Sequence, residues 1–258
     1  GGPEVVLWAD TFSTYFEPEN ARAAAKVLGA AGYRVHLAKS VVGNRPLCCG
    51  RTFLAAGLVD EAKAEARRML DALRPFVERG VPVVGLEPSC LFTLRDEFKA
   101  MFPGEDTDKL ANSALLFEEF LAREHDTGAL TLDLESAAGN RAMLHGHCHQ
   151  KAFDAMSAVE TVLRLIPDLE VETIRSGCCG MAGAFGFDAD HYDVSMKMGE
   201  LDLLPAVREV AEEDLIVAAG TSCRHQIRDG ADRTARHPAL VLEAALKDDQ
   251  RDLDDASR

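Results

Sequence analysis

The chain opens on an unbroken apolar run, "VVLWA", followed by "PENARAAAKVLGAAG", whose apolar residues recur at helical spacing, and then by "YRVHLA". A buried run, an amphipathic helix and a second run, in that order, predict a βαβ unit of parallel sheet. The pattern continues with "LVDEAKAEARRMLDALRPFVERG", a long helix closed by Gly80, and with "VPVVGL", a short buried strand. After residue 140 the plan returns. "RAMLHG" reads as a strand, "QKAFDAMSAVETVLRLI" as a helix, "LEVETI" as a strand, "VSMKMGELDLLPAVREVA" as mostly helix and "DLIVAAG" as a strand. The predicted class is α/β: two pseudo-repeated βαβ modules with mainly parallel sheets and a Rossmann-like three-layer character. The boundaries expected are a first repeat over 1–101, a helical connector over 102–140 carrying "LANSALLFEEFLAREH", a second repeat over 141–246 and a disordered acidic tail over 247–258.

Aligning the halves turns the repeat into chemistry. "VLWADTF" lies over "MLHGHCH", "LCCG" over "GCCG" and "GLEPSC" over "AAGTSC", each at the same point of the plan. The second copy has Cys148 after one strand, Cys178 and Cys179 in a glycine-fenced loop, and Cys223 after another strand. The first keeps Cys48, Cys49 and Cys90 but has Thr11 in the place of Cys148. Adjacent cysteines diverge along the backbone, and a disulfide between neighbours is strained, so neither packing nor a staple explains the pairs. In an open parallel sheet the carboxyl ends of the strands share one edge, which brings the four sulfurs of the second copy together there. Four converging thiolates make a soft site suited to an iron-sulfur cluster or to zinc.

Composition narrows the classes. The 258 residues are 47% apolar, ample for a core, and carry a net charge of -15 from 43 acidic and 28 basic residues. With no Lys/Arg cluster, the phosphate-neutralising surface that nucleic acid requires is missing. No apolar run approaches the roughly 18–20 residues of a membrane span, and the N-terminus has neither a basic leader nor a cleavage site, so a soluble, cytoplasmic protein is expected. Seven cysteines, as two pairs and three singles, do not fit a secreted disulfide framework. "GGPE" has no initiator Met, as in a processed or excised piece of a longer protein or in a chain that carries a cloning scar.

The double Cys-Cys-Gly pattern, with an upstream Cys and a downstream Ser-Cys, resembles the cysteine-rich (CCG) domain family of the heterodisulfide reductase B subunit and of iron-sulfur subunits of glycolate, glycerol-3-phosphate and lactate dehydrogenases. More narrowly, "LWADTF", "CCGR", "LEPSC", "HGHCHQKA", "SGCCGMAGAFGF", "HYDVSMKMGE" and "SCRHQI" are similar to the C-terminal part of proteins that fuse an FAD-binding oxidase, a ferredoxin-like segment and this domain. The resemblance implies an iron-sulfur site, of 4Fe-4S type or a non-cubane relative, exchanging electrons with a reduced flavin. It places ligands at Cys148, Cys178, Cys179 and Cys223. It departs from the fullest family pattern at Glu87 and Gly220, where a first Cys of Cys-x-x-Cys is usual, and at Thr11. What it implies in turn is an oxidoreductase component for a 2-hydroxy acid such as lactate or glycolate, inactive alone. FAD would sit on a partner or on a missing N-terminal region, with a ferredoxin-like domain as a further partner.

Several readings of individual residues stay open at this point. Cys48, Cys49 and Cys90 are either a second ligand set or a decayed duplicate. Gly177 and Gly180 either bring backbone N–H groups close to a cofactor's sulfurs or serve a tight turn. Arg224 and His225 either offset thiolate charge or open a helix. His145, His147 and His149 are either ligands or packed polar groups around Cys148. Rival functions are a structural zinc domain that docks partners and a thiol-disulfide enzyme using Cys178 and Cys179; C-x-x-C geometry would favour the latter, and the direct adjacency of these two cysteines does not.

Overall fold

The structure, a computed structural model, describes residues 2–137, 139–247 and 250. It divides into two compact units, one running to Leu132 and the other beginning at Asp133. The acidic tail expected over 247–258 lies, apart from Lys247 and Gln250, outside the described residues.

In the first unit the strands are β1 (Glu4–Trp8), β2 (Arg34–Leu37), β3 (Val83–Gly85) and β4 (Ala114–Leu116), in the order β2-β1-β3-β4 with every pairing parallel. Val5, Val6, Leu7 and Trp8 are all buried, which is why β1 reads as a continuous apolar run and not as an alternation. Burying each such side chain is worth about 1.5–3 kcal/mol. Helix Pro18–Ala30 crosses from β1 to β2 with Pro in its first turn, and buries Ala23, Ala24, Val27 and Leu28 on one face. Helix Val59–Val77 crosses to β3 on Ala62, Ala66, Met69 and Leu73.

One expected element is corrected. "LANSALLFEEFLAREH" is not one helix: helix Glu105–Ser113 stops, Ala114–Leu116 forms β4 against β3, and helix Phe117–Asp126 starts afresh. The edge of β3 offers backbone pairing that helical periodicity cannot reveal, and Glu119 accepts from the Leu116 N–H at 2.9 Å to restart the helix.

The second unit has β5 (Arg141–His145), β6 (Glu170–Thr173) and β7 (Leu215–Ala218), in the order β6-β5-β7, again all parallel. The helix expected over "QKAFDAMSAVETVLRLI" is two, Cys148–Ala152 and Met156–Leu163, separated by a turn in which Asp154 takes φ +55°. The stretch "VSMKMGELDLLPAVREVA" is likewise split into Tyr192–Gly199 and Leu203–Arg208.

The two units repeat the same order of elements around their cysteines. β1 and β5 end at Trp8 and His145; Asp10 and His147 then cap helices that begin at Thr11 and Cys148. β3 and β7 end at Gly85 and Ala218, and the helices that follow begin at Pro88 and Thr221, each with a cysteine, Cys90 or Cys223, in its first turn. In each sheet the chain leaves the central strand to one side and returns on the other. The carboxyl ends of β1 and β3, and of β5 and β7, therefore flank a switch point, where parallel α/β sheets bind ligands.

Candidate metal centre

At the carboxyl edge of the second sheet four thiols form a row. Cys148 opens the helix after β5, Cys178 and Cys179 lie on the loop after β6, and Cys223 sits in the first turn of helix Thr221–Ala231. Hydrogen-bonding contacts link Cys148 with Cys178, Cys178 with Cys179 and Cys179 with Cys223, and all four cysteines are free. Cys179 and Cys223 are buried in an apolar cluster with Met143, Ile174, Met181, Ile216 and Ile227. The inner end of the row is thus shielded from water, while Cys148 and Cys178 are half-buried.

The loop is shaped by one glycine more than by the other. Gly180 takes φ +95°, its N–H donates to the Cys178 sulfur at 3.4 Å, and a Cβ there would lie 2.2 Å from the Ser195 carbonyl oxygen. That carbonyl also accepts from Gln226 Nε2 at 3.0 Å, so the wall is fixed. Gly177 has no positive φ and open space around it; its carbonyl accepts from Lys151 Nζ at 2.9 Å.

The row alternates in acidity. Hydrogen bonds with Cys148 and Cys179, helped by the Gly180 and Ala182 backbone, hold Cys178 well below the ordinary thiol range. Cys148 is pushed up by its bond to Cys178 and by burial. Cys179 is pushed up by its bonds to Cys178 and Cys223 and by burial. Cys223 is held down by its bond with Cys179 against the effect of burial, with favourable contributions from the His145 and His147 rings. A cation that takes all four as thiolates must displace the protons still shared along this row.

Imidazoles flank both ends. His145 is 1% exposed, its Nδ1 lies 2.9 Å from Ser176 Oγ, and its Nε2 is buried without a hydrogen-bonded nitrogen or oxygen partner. One ring nitrogen of His145 and the sulfurs of Cys179 and Cys223 lie within 4.8 Å of one another, as do donor atoms of His147, Cys148 and His149. The two residues that follow Cys223 face different partners. Arg224 turns its guanidinium to the carbonyls of Ala218 and Ala219, at 2.8 and 2.7 Å, and closes the end of β7. His225 meets the Phe187 ring edge-on at 6.0 Å. A residue that the sequence reading passed over is Lys151, whose ammonium donates to the carbonyls of Ser176 and Gly177 and interacts with all four thiols. The one lysine within "HGHCHQKA" was its only signal.

The first unit repeats the backbone but not the full donor set. Gly50, at φ +78°, donates to the Cys48 sulfur at 3.4 Å, as Gly180 does to Cys178. Thr11 hydrogen-bonds Cys48 where the second unit has a thiol. Cys48 is pushed up by its hydrogen bond with Cys49 and by burial. Cys90 gains acidity from its bond with Cys49, but burial and the carboxylates of Asp10 and Glu87 push it up to about 11. Asp10, buried, is occupied in capping its helix through the N–H groups of Phe12 and Ser13, at 2.8 and 3.1 Å. Among the described residues no three donors of this unit gather within 4.8 Å.

A parallel α/β unit that presents four free thiols and a buried imidazole nitrogen at its switch point has the donor set of a thiolate-bound metal or cluster. The chain belongs to the cysteine-rich (CCG) domain family, whose sequence model matches residues 10–95 and 142–228. It is 30% identical over 246 residues to the C subunit of anaerobic glycerol-3-phosphate dehydrogenase from Escherichia coli (strain K12), with 94% of this chain and 59% of that protein matched. It is 30% identical over 241 residues to D-2-hydroxyglutarate dehydrogenase of Pseudomonas putida, with 92% of this chain and 22% of that protein matched. It is 23% identical to lactate utilization protein A 2 of Bacillus cereus, over 94% of this chain and 99% of that protein. The chain thus spans about three fifths of the first relative and a smaller share of the second. Among the described residues no helix is long and apolar enough to cross a membrane.

Proposed function

We propose that this chain is an iron-sulfur electron-transfer unit of a flavin-linked oxidoreductase, with Cys148, Cys178, Cys179 and Cys223 as the cluster ligands. The observation that carries the reading is the unbroken row of four free sulfurs from three separate segments. When bound, an iron-sulfur group accepts and releases single electrons. The protein's part is to shield that group with the apolar cluster around Cys179 and Cys223, to aim the Gly180 N–H at a ligand sulfur, and to place cationic and imidazole groups beside it. Relatives named for glycerol-3-phosphate, D-2-hydroxyglutarate and lactate support a substrate with a secondary alcohol, oxidised on an FAD-binding partner or on a further domain of the same protein. The 2-hydroxy acids are the class favoured. The chain alone is then an electron conduit without dehydrogenase activity, working beside a flavin domain and a ferredoxin-like one.

A structural zinc site is the second reading, favoured by the buried His145 ring, one nitrogen of which lies within 4.8 Å of the Cys179 and Cys223 sulfurs, since zinc accepts mixed sulfur and nitrogen donors. Iron, acid-labile sulfide and zinc analysis of anaerobically purified chain separates the two. Iron with matching sulfide and a brown colour is expected; colourless protein holding zinc would overturn the electron-transfer reading.

A further inference from the structure

Lys151 is half-buried, on the helix that Cys148 opens. Its ammonium donates to the carbonyl of Ser176 and, at 2.9 Å, to that of Gly177, the two residues that lead into Cys178 and Cys179. One side chain therefore ties the segment bearing the first thiol to the loop bearing the next two. It also stands within electrostatic reach of all four sulfurs, Cys148, Cys178, Cys179 and Cys223. Burial disfavours its charge, so the position is costly for a lysine unless anions offset it. The repeat supplies an internal comparison. With Trp8 over His145 and Thr11 over Cys148, Lys151 falls over Thr14, a neutral residue whose hydroxyl donates to the Ala9 carbonyl at 3.2 Å. The copy with the complete cysteine set has the cation, and the copy lacking the fourth thiol does not.

We propose that Lys151 is the cationic clamp of the cysteine site: its ammonium holds the 176–177 backbone in the position that presents Cys178 and Cys179, and its charge sets the reduction potential of the group bound there. Four thiolates around a divalent ion or an oxidised cubane cluster leave a net negative charge. Reduction adds one more negative charge in a partly buried site, which a fixed ammonium nearby stabilises more in the reduced state than in the oxidised one. The potential is raised for that reason. The role rests on the iron-sulfur reading above. Lys151 is a positioning residue, because it reaches the bound group through its field and through the loop.

The test uses the full chain reconstituted anaerobically with ferrous iron and sulfide, as wild type, Lys151→Arg and Lys151→Met. Iron content of the wild type checks the cluster reading separately: if it retains none, that reading fails before any variant is compared. With iron retained, Lys151→Met is expected to show a midpoint potential shifted to more negative values and Lys151→Arg a potential near that of wild type. A folded Lys151→Met chain that loses iron while Lys151→Arg keeps it also supports the clamp. An unchanged potential at full iron content in Lys151→Met overturns the proposal. So does unfolding of both variants by circular dichroism, which would assign Lys151 to folding alone.

Discussion

Gly180→Ala is the substitution whose cost the geometry sets most directly. At φ +95° an L side chain is strained by about 1–2 kcal/mol. The added Cβ would also sit 2.2 Å from the Ser195 carbonyl oxygen and 3.2 Å from Gln226 Nε2. That carbonyl belongs to helix Tyr192–Gly199 and is held by Gln226, so relief requires a backbone shift of roughly 1 Å, an overpacking cost of about 1–3 kcal/mol. Loss of glycine's freedom in the unfolded chain returns about 0.4–1 kcal/mol. The net is a destabilisation of ~1–4.6 kcal/mol, which raises local opening roughly 5- to 2,000-fold. Pulsed alkylation of metal-free chain in increasing urea, read by peptide mass at Cys179 and Cys223, measures that opening because both thiols are buried. Gly177→Ala, with open space and no positive φ, should be neutral or stabilising by up to ~1 kcal/mol. Gly183→Ala, at φ +69° but in open space, should show the dihedral strain alone less the same unfolded-state gain, a net cost of about 0–1.6 kcal/mol. The reasoning is refuted if Gly180→Ala changes opening less than about 3-fold, or if Gly177→Ala matches it.

Replacing Cys148, Cys178, Cys179 or Cys223 with Ser should abolish or grossly weaken retention of the bound metal, while Cys90→Ser should leave the second unit's metal in place; full metal content in any two of the four variants would sink the ligand assignment. The purified chain, with its cluster intact, should show no lactate or glycolate dehydrogenase activity with artificial dyes and should support it only when an FAD-binding partner or domain is added, because removal of hydride needs a two-electron acceptor. Turnover by the chain alone without flavin would move the chemistry onto the cysteine site.

The sequence determined the parallel α/β class, the duplication and the identity of the sulfurs, because each is written in local signals: runs buried on both faces, helical spacing, and a Cys-Cys-Gly whose glycine must take positive φ. Tertiary structure decided what depends on a partner distant in sequence. Ala114–Leu116 became a strand only because the edge of β3 was there to pair with it. Gly177 and Gly180 look alike as fences around a cysteine pair, but only Gly180 has the Ser195 carbonyl against its Cα. Arg224, adjacent to Cys223 in the chain, turns its guanidinium to the carbonyls of Ala218 and Ala219, whereas Lys151, on the helix that Cys148 opens, reaches across to the loop before Cys178. Backbone conformation follows from neighbours along the chain; the direction of a long side chain and the place of a charge follow from what the fold packs around them.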